Sequence, residues 1–197
     1  MSRRMTAGVM CFITFIAAVG CARRTVDVGY HEATASRALL SSVAPRRVVV
    51  APVADRRAET SRIGIEMPKG KPIVTARPVP DIVRDALVVE LKKNGHEVVT
   101  GPADVVVSAN VEEFWLDTVG RAATTQYVGR VAIAVAIADG QSGDALMTRR
   151  YVGIRRRSGE ADSKETWREV METALARTIH DVATDPDLAL NIGRAPR

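Results

Sequence analysis

The sequence is poor in the residues that most often carry chemistry. Two cysteines occur in 197 residues, Cys11 inside an N-terminal apolar run and Cys21 at its end. Removal of that run would leave one cysteine and no intramolecular disulfide. Three histidines, His31, His96 and His180, lie far apart in the chain and compose no metal site. His180 falls near the end of an expected helix, where a contact with the helix dipole is its ordinary role. Aromatic residues make up 4% of the chain. The core must therefore be built from Val, Ile, Leu and Ala, and no platform exists for stacking bases, which argues against nucleic acid. There is no GxSxG elbow, no Walker-type phosphate loop and no GxGxxG turn. Glu112 and Glu113 are adjacent, and adjacent strand residues face opposite ways, so they pair as catalytic carboxylates only if the backbone is irregular there. No enzyme activity, no cofactor and no metal are expected. Long apolar runs are also missing. The stretch Ala7–Gly20 has 14 residues (20 − 7 + 1), against about 20 for a membrane-spanning helix.

What is present begins with that stretch. Arg3 and Arg4 precede it, Val9 to Val19 is almost wholly apolar, Ala18-Val19-Gly20 are small or β-branched, and Cys21 follows. A basic start, a short apolar middle and a small-residue exit describe a secretory signal. Met5-Thr6-Ala7 stand where a twin-arginine signal would carry apolar residues, so general secretion is the expected route. Ala17-Ala18-Val19-Gly20-Cys21 resembles the lipobox of bacterial lipoproteins, closely at Gly20 and Cys21 and less so at Ala18, where Leu is usual. The resemblance implies that residues 1–20 are a signal peptide and that Cys21 becomes the acylated first residue. It also implies a membrane partner, held through the lipid. Ala22 replaces the Asp that retains such proteins in the inner membrane, which implies the outer membrane, facing the periplasm.

Loss of 20 residues leaves 177 (197 − 20), one domain plus a leash, and takes the formal net charge from +5 to +3 with Arg3 and Arg4. The remaining arginines cluster as Arg46-Arg47, Arg56-Arg57, Arg149-Arg150 and Arg155-Arg156-Arg157. Guanidinium forks suit phosphate and carboxylate groups, which in an envelope belong to lipid headgroups, lipopolysaccharide or peptidoglycan. The plainer reading is a solvated strand edge.

Along the chain, Ala22–Ala44 has no sustained period and is expected to be a tether, with a helix compatible only over His31–Leu40. Arg46–Val53 reads as a β-branched strand covered on both faces. Ala54–Pro78 is a Gly- and Pro-bearing loop of 25 residues (78 − 54 + 1), with a hairpin around Met67-Pro68-Lys69-Gly70. Loops of that length are usually functional or disordered. Val79–Gly95 is a helix by its apolar spacing, with Asp81 at the start and Gly95 past the end. Glu97–Thr100 and Ala103–Leu116 are strands. The second changes parity at Glu112-Glu113, as a bulge would require. Thr118–Thr125 is a connector. Gln126–Ala138 divides its side chains: Val131, Ile133, Val135 and Ile137 on one face, Ala132, Ala134, Ala136 and Ala138 on the other. Asp139–Asp144 is a turn to a return strand, Ala145–Arg155, whose Arg149 and Arg150 mark an edge. Asp162–Thr184 is a second helix, with Asp162 and Glu165 as a capping box and Asp185-Pro186 as its stop. Leu188–Arg197 is a tail. The expected fold is α+β, a two-layer sandwich of two helices on one face of a mostly antiparallel sheet of four or five strands. Residues 46–187 form the domain, preceded by an acylated tether over 21–45.

VVVAPVADRR, PDIVRDALVVELKKNGHEVV, DVVVSANVEEFWLD and AIADGQSGDALMTRRYVG together resemble the YajG-like bacterial lipoproteins over about Arg46–Asp185. A broader similarity is to auxiliary lipoproteins of envelope transport systems. The resemblance implies an envelope lipoprotein and supplies no catalytic residues. The function expected is a non-enzymatic, lipid-anchored domain that contacts another envelope protein or a second copy of itself. Its contact residues are expected at Ala132, Ala134 and Ala136, and at Arg56, Arg57, Gly64 and Gly70 in the long loop. The alternative is a carrier or binding module for an envelope lipid or glycan, using the same loop and its arginines.

Overall fold

The structure is a computed structural model that describes residues 23–31, 39–120, 124–159 and 163–194. Cys21 and the signal stretch lie outside the described residues. The described chain runs β1 (Arg24–Val26), a short 3-10 helix (Leu39–Ser42), β2 (Arg47–Val50), β3 (Ala54–Asp55), β4 (Gly64–Glu66), β5 (Lys71–Thr75) and α1 (Val79–Lys93). It continues with β6 (Glu97–Val98), β7 (Val105–Gly120), β8 (Thr125–Asp139), β9 (Ala145–Gly159), α2 (Lys164–Ala183) and α3 (Pro186–Arg194).

The long strands organise the rest. β7, β8 and β9 form an antiparallel meander in register over most of their length. The register shifts between Val111 and Glu113, so the bulge foreseen at Glu112-Glu113 is there. It has a packing reason: Val111 and Phe114 both stay buried, opposite Ile133 and Val131. Without the extra residue Phe114 would face outward.

The sheet corrects the expectation of four or five mostly antiparallel strands. Among the described residues it has nine strands and is mixed. β7, with its 16 residues, has a second edge full of backbone donors and acceptors that need partners. β2, β3 and β4 fill that edge in turn, all parallel to β7: Val48 pairs with Val105, Ala54 with Asn110 and Gly64 with Leu116. The stretch 54–78 is thus not a bare loop. It supplies β3, then an antiparallel hairpin of β4 and β5 turning at residues 67–70, as the sequence suggested for that turn.

Two further expectations are corrected. The described parts of the supposed tether belong to the domain: β1 pairs parallel with β5, and Val26, Val28 and Leu40 are buried. The supposed tail is helix α3, which buries Leu188, Ala189 and Ile192. Asp185-Pro186 stops α2 and starts α3. The Asp185 carboxylate accepts from the Asp187 and Leu188 amides, and Pro186 needs no donor in the first turn. The cap of α2 is Ser163, whose hydroxyl accepts from the Thr166 amide. That replaces the expected Asp162 box, and Asp162 itself lies outside the described residues.

The helices lie on one side of the sheet, as expected. Leu87 and Leu91 of α1, Ile179 and Val182 of α2, Leu188 and Ile192 of α3, and Leu40 close together over Val107, Val135 and Ile137. α2 reaches the sheet because glycine faces it. A Cβ on Gly153 would stand 2.1 Å from the Ala174 carbonyl oxygen and 2.4 Å from Thr178 Oγ1. His96 ties the start of β2 to the 3-10 helix. Its Nδ1 accepts from the Arg46 amide, and its Nε2 lies 3.2 Å from the Leu40 carbonyl oxygen. Burial pushes its imidazole below the ordinary histidine value, and the neutral ring suits one donor and one acceptor.

Candidate functional site

The other side of the sheet has no helix on it among the described residues. Its middle is the alanine row of β8. Ala132 is fully buried, while Ala134, Ala136 and Ala138 are half-buried. Long neighbours shade the row rather than cover it. On β7, Ser108, Asn110, Glu113, Trp115 and Asp117 share this face, and on β9 Thr148, Arg150, Val152, Ile154 and Arg156 do. Val152 and Ile154 are exposed.

Charge on this face is ordered. Arg130 Nε donates to Glu113 Oε1 at 2.6 Å, and its Nη1 lies 2.7 Å from Asp117 Oδ2. Arg150 Nε donates to Glu112 Oε2 at 2.6 Å. The bulge therefore does turn both glutamates to one side, and each is held by an arginine. Trp115 Nε1 donates to Asp117. The Glu113 bond, with Asp117 behind it, pushes the Arg130 guanidinium further into its charged form. Acid lies along β7, and its basic partners are Arg130 on β8 and Arg150 on β9, beside the alanines.

The second feature is a cavity of about 370 Å³ at the start of α1, lined by Arg23, Arg57, Arg62, Arg77, Thr60, Ser61 and Thr75 among others. Arg57, a residue singled out from sequence, is its fixed wall. Its guanidinium grips both Asp55 oxygens at 2.8 Å and donates to the Arg62 and Thr60 carbonyls at 3.2 Å. That grip holds the Asp55 carboxyl below the usual carboxylate range. Arg56 is exposed. Gly64 marks a close approach, since a Cβ there would stand 2.4 Å from the Leu116 carbonyl oxygen. Gly70 sits in the hairpin turn with φ +68°. The structure brings Arg57 to the cavity and the alanines to the open face. Gly64 and Gly70 are placed by backbone demands. Arg23, Arg62 and Arg77 were missed because they are dispersed in sequence.

A third cluster joins β9 to the α2–α3 junction. Tyr151 donates to Asp185 at 2.6 Å, and Arg149 reaches Asp185 at 2.7 Å and Asp187 at 2.5 Å. Burial pushes the Asp185 carboxyl up, but Tyr151, the Asp187 and Leu188 amides and Arg149 together hold it below the usual range. This network locks a corner of the fold. Among the described residues, no group of three or more His, Cys, Asp or Glu is placed to hold a metal ion. No described helix is long and apolar enough to cross a membrane.

The chain belongs to a family described as uncharacterised lipoproteins, whose profile matches residues 42–192. This is the YajG-like family that the sequence resembles, and it places the chain among lipoproteins of the bacterial envelope. No curated protein matches the chain. Among solved structures, a Xanthomonas campestris protein is similar in fold at 14% identity and TM-score 0.57, over 86% of this chain and 95% of that one. A minor lipoprotein from Acinetobacter baumannii aligns at 14% identity and TM-score 0.44, over 76% and 94%. A hypothetical protein from Chlamydia trachomatis aligns at 12% identity and TM-score 0.47, over 71% and 94%.

Proposed function

We propose that the chain is a non-enzymatic lipoprotein, acylated at Cys21, which becomes its first residue once residues 1–20 are removed. It is anchored in the outer membrane on its periplasmic side, and its folded domain contacts another envelope component. The observation that carries the contact is the open sheet face. Small alanines flanked by ordered charge and by exposed Val152 and Ile154 give a surface that another element can approach closely. Membership of a lipoprotein family supports the anchor.

The test is fractionation of cells expressing the Cys21→Ser chain. A chain with several acyl groups is firmly held, whereas one without them has no such hold. The substituted protein is expected in the soluble fraction after a high-salt wash. Retention on membranes would sink the anchor reading. Brief cross-linking of the anchored protein should trap an envelope protein or a second copy, and Ala136→Gln on the open face should abolish that product.

A second reading, a binding module for an envelope lipid or glycan, is supported by the arginine-lined cavity at the start of α1.

A further inference from the structure

We propose that the cavity at the start of α1 is a phosphate site that takes the headgroup phosphate of a lipid in the membrane to which the chain is anchored. The proposal rests on the anchored, lipid-binding reading above and gives it a substrate class and a place.

The chemistry of the walls points to an anion. Four arginines line the cavity and one carboxylate, Asp55, does. Arg57 is fixed by Asp55, with its side chain 5% exposed, and forms the rigid base. Arg62 pairs with Glu59 at 3.2 Å, and Arg77 with Asp85 at 2.7 Å. Both of these pairs are more than a third exposed, so water screens them and the guanidiniums can exchange a carboxylate for a phosphate at little cost. Among the described residues Arg62 Nε is buried without a hydrogen-bond partner, so a shift of this side chain toward an entering acceptor would satisfy it. Thr60 and Thr75 add hydroxyls on the same walls, while the Ser61 hydroxyl is engaged in donating to Glu59. Val79 and Pro80 bring the positive end of the 15-residue α1 to the rim. Planar forks with several donors match phosphate oxygens better than a point charge does.

Position points to a lipid rather than a soluble phosphate. Arg23 lines the cavity, and it stands two residues after Cys21. Two residues span at most about 7 Å. Acyl chains on Cys21 would therefore hold the mouth of the cavity at headgroup depth.

The experiment uses the chain from residue 21 with Cys21→Ser, so that no acyl group contributes. Its binding is measured to phosphatidylglycerol vesicles, phosphatidylcholine vesicles, inorganic phosphate and glycerol phosphate. Binding to phosphatidylglycerol vesicles is expected, reduced at least tenfold by Arg23→Gln with Arg77→Gln. Arg150→Gln with Arg156→Gln, two exposed arginines on the open face, should change it less than twofold. Equal losses from the two sets would overturn the site, because net charge alone would then explain binding. Binding of inorganic phosphate without vesicle binding would overturn the lipid source. No binding to any probe would overturn the proposal while leaving the membrane-release result for Cys21 untouched. Arg23 and Arg77 are exposed, and an unchanged unfolding midpoint confirms that the double variant is folded.

Discussion

β8 carries two faces that differ in every respect except the strand they share. On the helix side Tyr127, Val131, Ile133, Val135 and Ile137 are at most 1% exposed, and glycines opposite α2 let its backbone come close. On the other side the positions alternating with Val131 to Ile137 are alanines, with ion pairs running beside them. The first face has no spare volume, so its residues answer to packing. On the second, Ala134, Ala136 and Ala138 are only half-buried, so packing within the chain constrains them less. A single strand can therefore hold the fold with one parity and present a surface with the other.

Substitutions can break this comparison. The largest effect is expected from Gly153→Val. Its side chain has no room against the Ala174 carbonyl and Thr178, and unfolding in denaturant should show a loss of about 3 kcal/mol or more. Asp185→Asn comes next, at about 2 kcal/mol, because it loosens Tyr151, Arg149 and the α3 cap together. Its signature is a pH dependence. Held below its unfolded value of about 3.9, the Asp185 carboxyl adds stability that is complete above that value and is lost as pH falls through its folded-state value. The variant should lack that acid limb, and an unchanged slope between pH 5 and 2 would contradict the assignment. The smallest effect is expected from Ala136→Gln. Stability should move by no more than about 0.5 kcal/mol, although the cross-linked product is lost. A large destabilisation there would show that the open face belongs to the core.

The reading of the sequence succeeded where the signal was local. α1 begins at Val79 as its spacing implies, and the division of β8 into two parities is visible in its alternation. The bulge at Glu112-Glu113 followed from one change of parity. The misses share a cause. Ala54-Asp55 and Gly64–Glu66 are too short to show a period, and they became strands because β7 had an unpaired edge. Arg24–Val26 joined the sheet because β5 offered another. Leu188, Ala189 and Ile192 make a helix that nine residues of mixed pattern did not announce. Within the candidate site, Arg57 was legible as part of a doublet. Its partners Arg23, Arg62 and Arg77 were not, since no spacing links residues from three separate segments.

By itself the sequence determined the periodic elements, the two parities of β8 and the cysteine at the end of an apolar run. All of these depend on neighbours within a few residues, where backbone geometry alone sets which side chains share a face. Only the tertiary structure decided that the sheet is mixed and has nine strands among the described residues. The tertiary structure also decided that the described parts of the segments before and after the expected domain belong to it, and that four arginines line one cavity. Those outcomes follow from satisfying the backbone of a long strand on both edges and from burying apolar residues wherever the packed helices leave room. Both conditions exist only once distant parts of the chain have met.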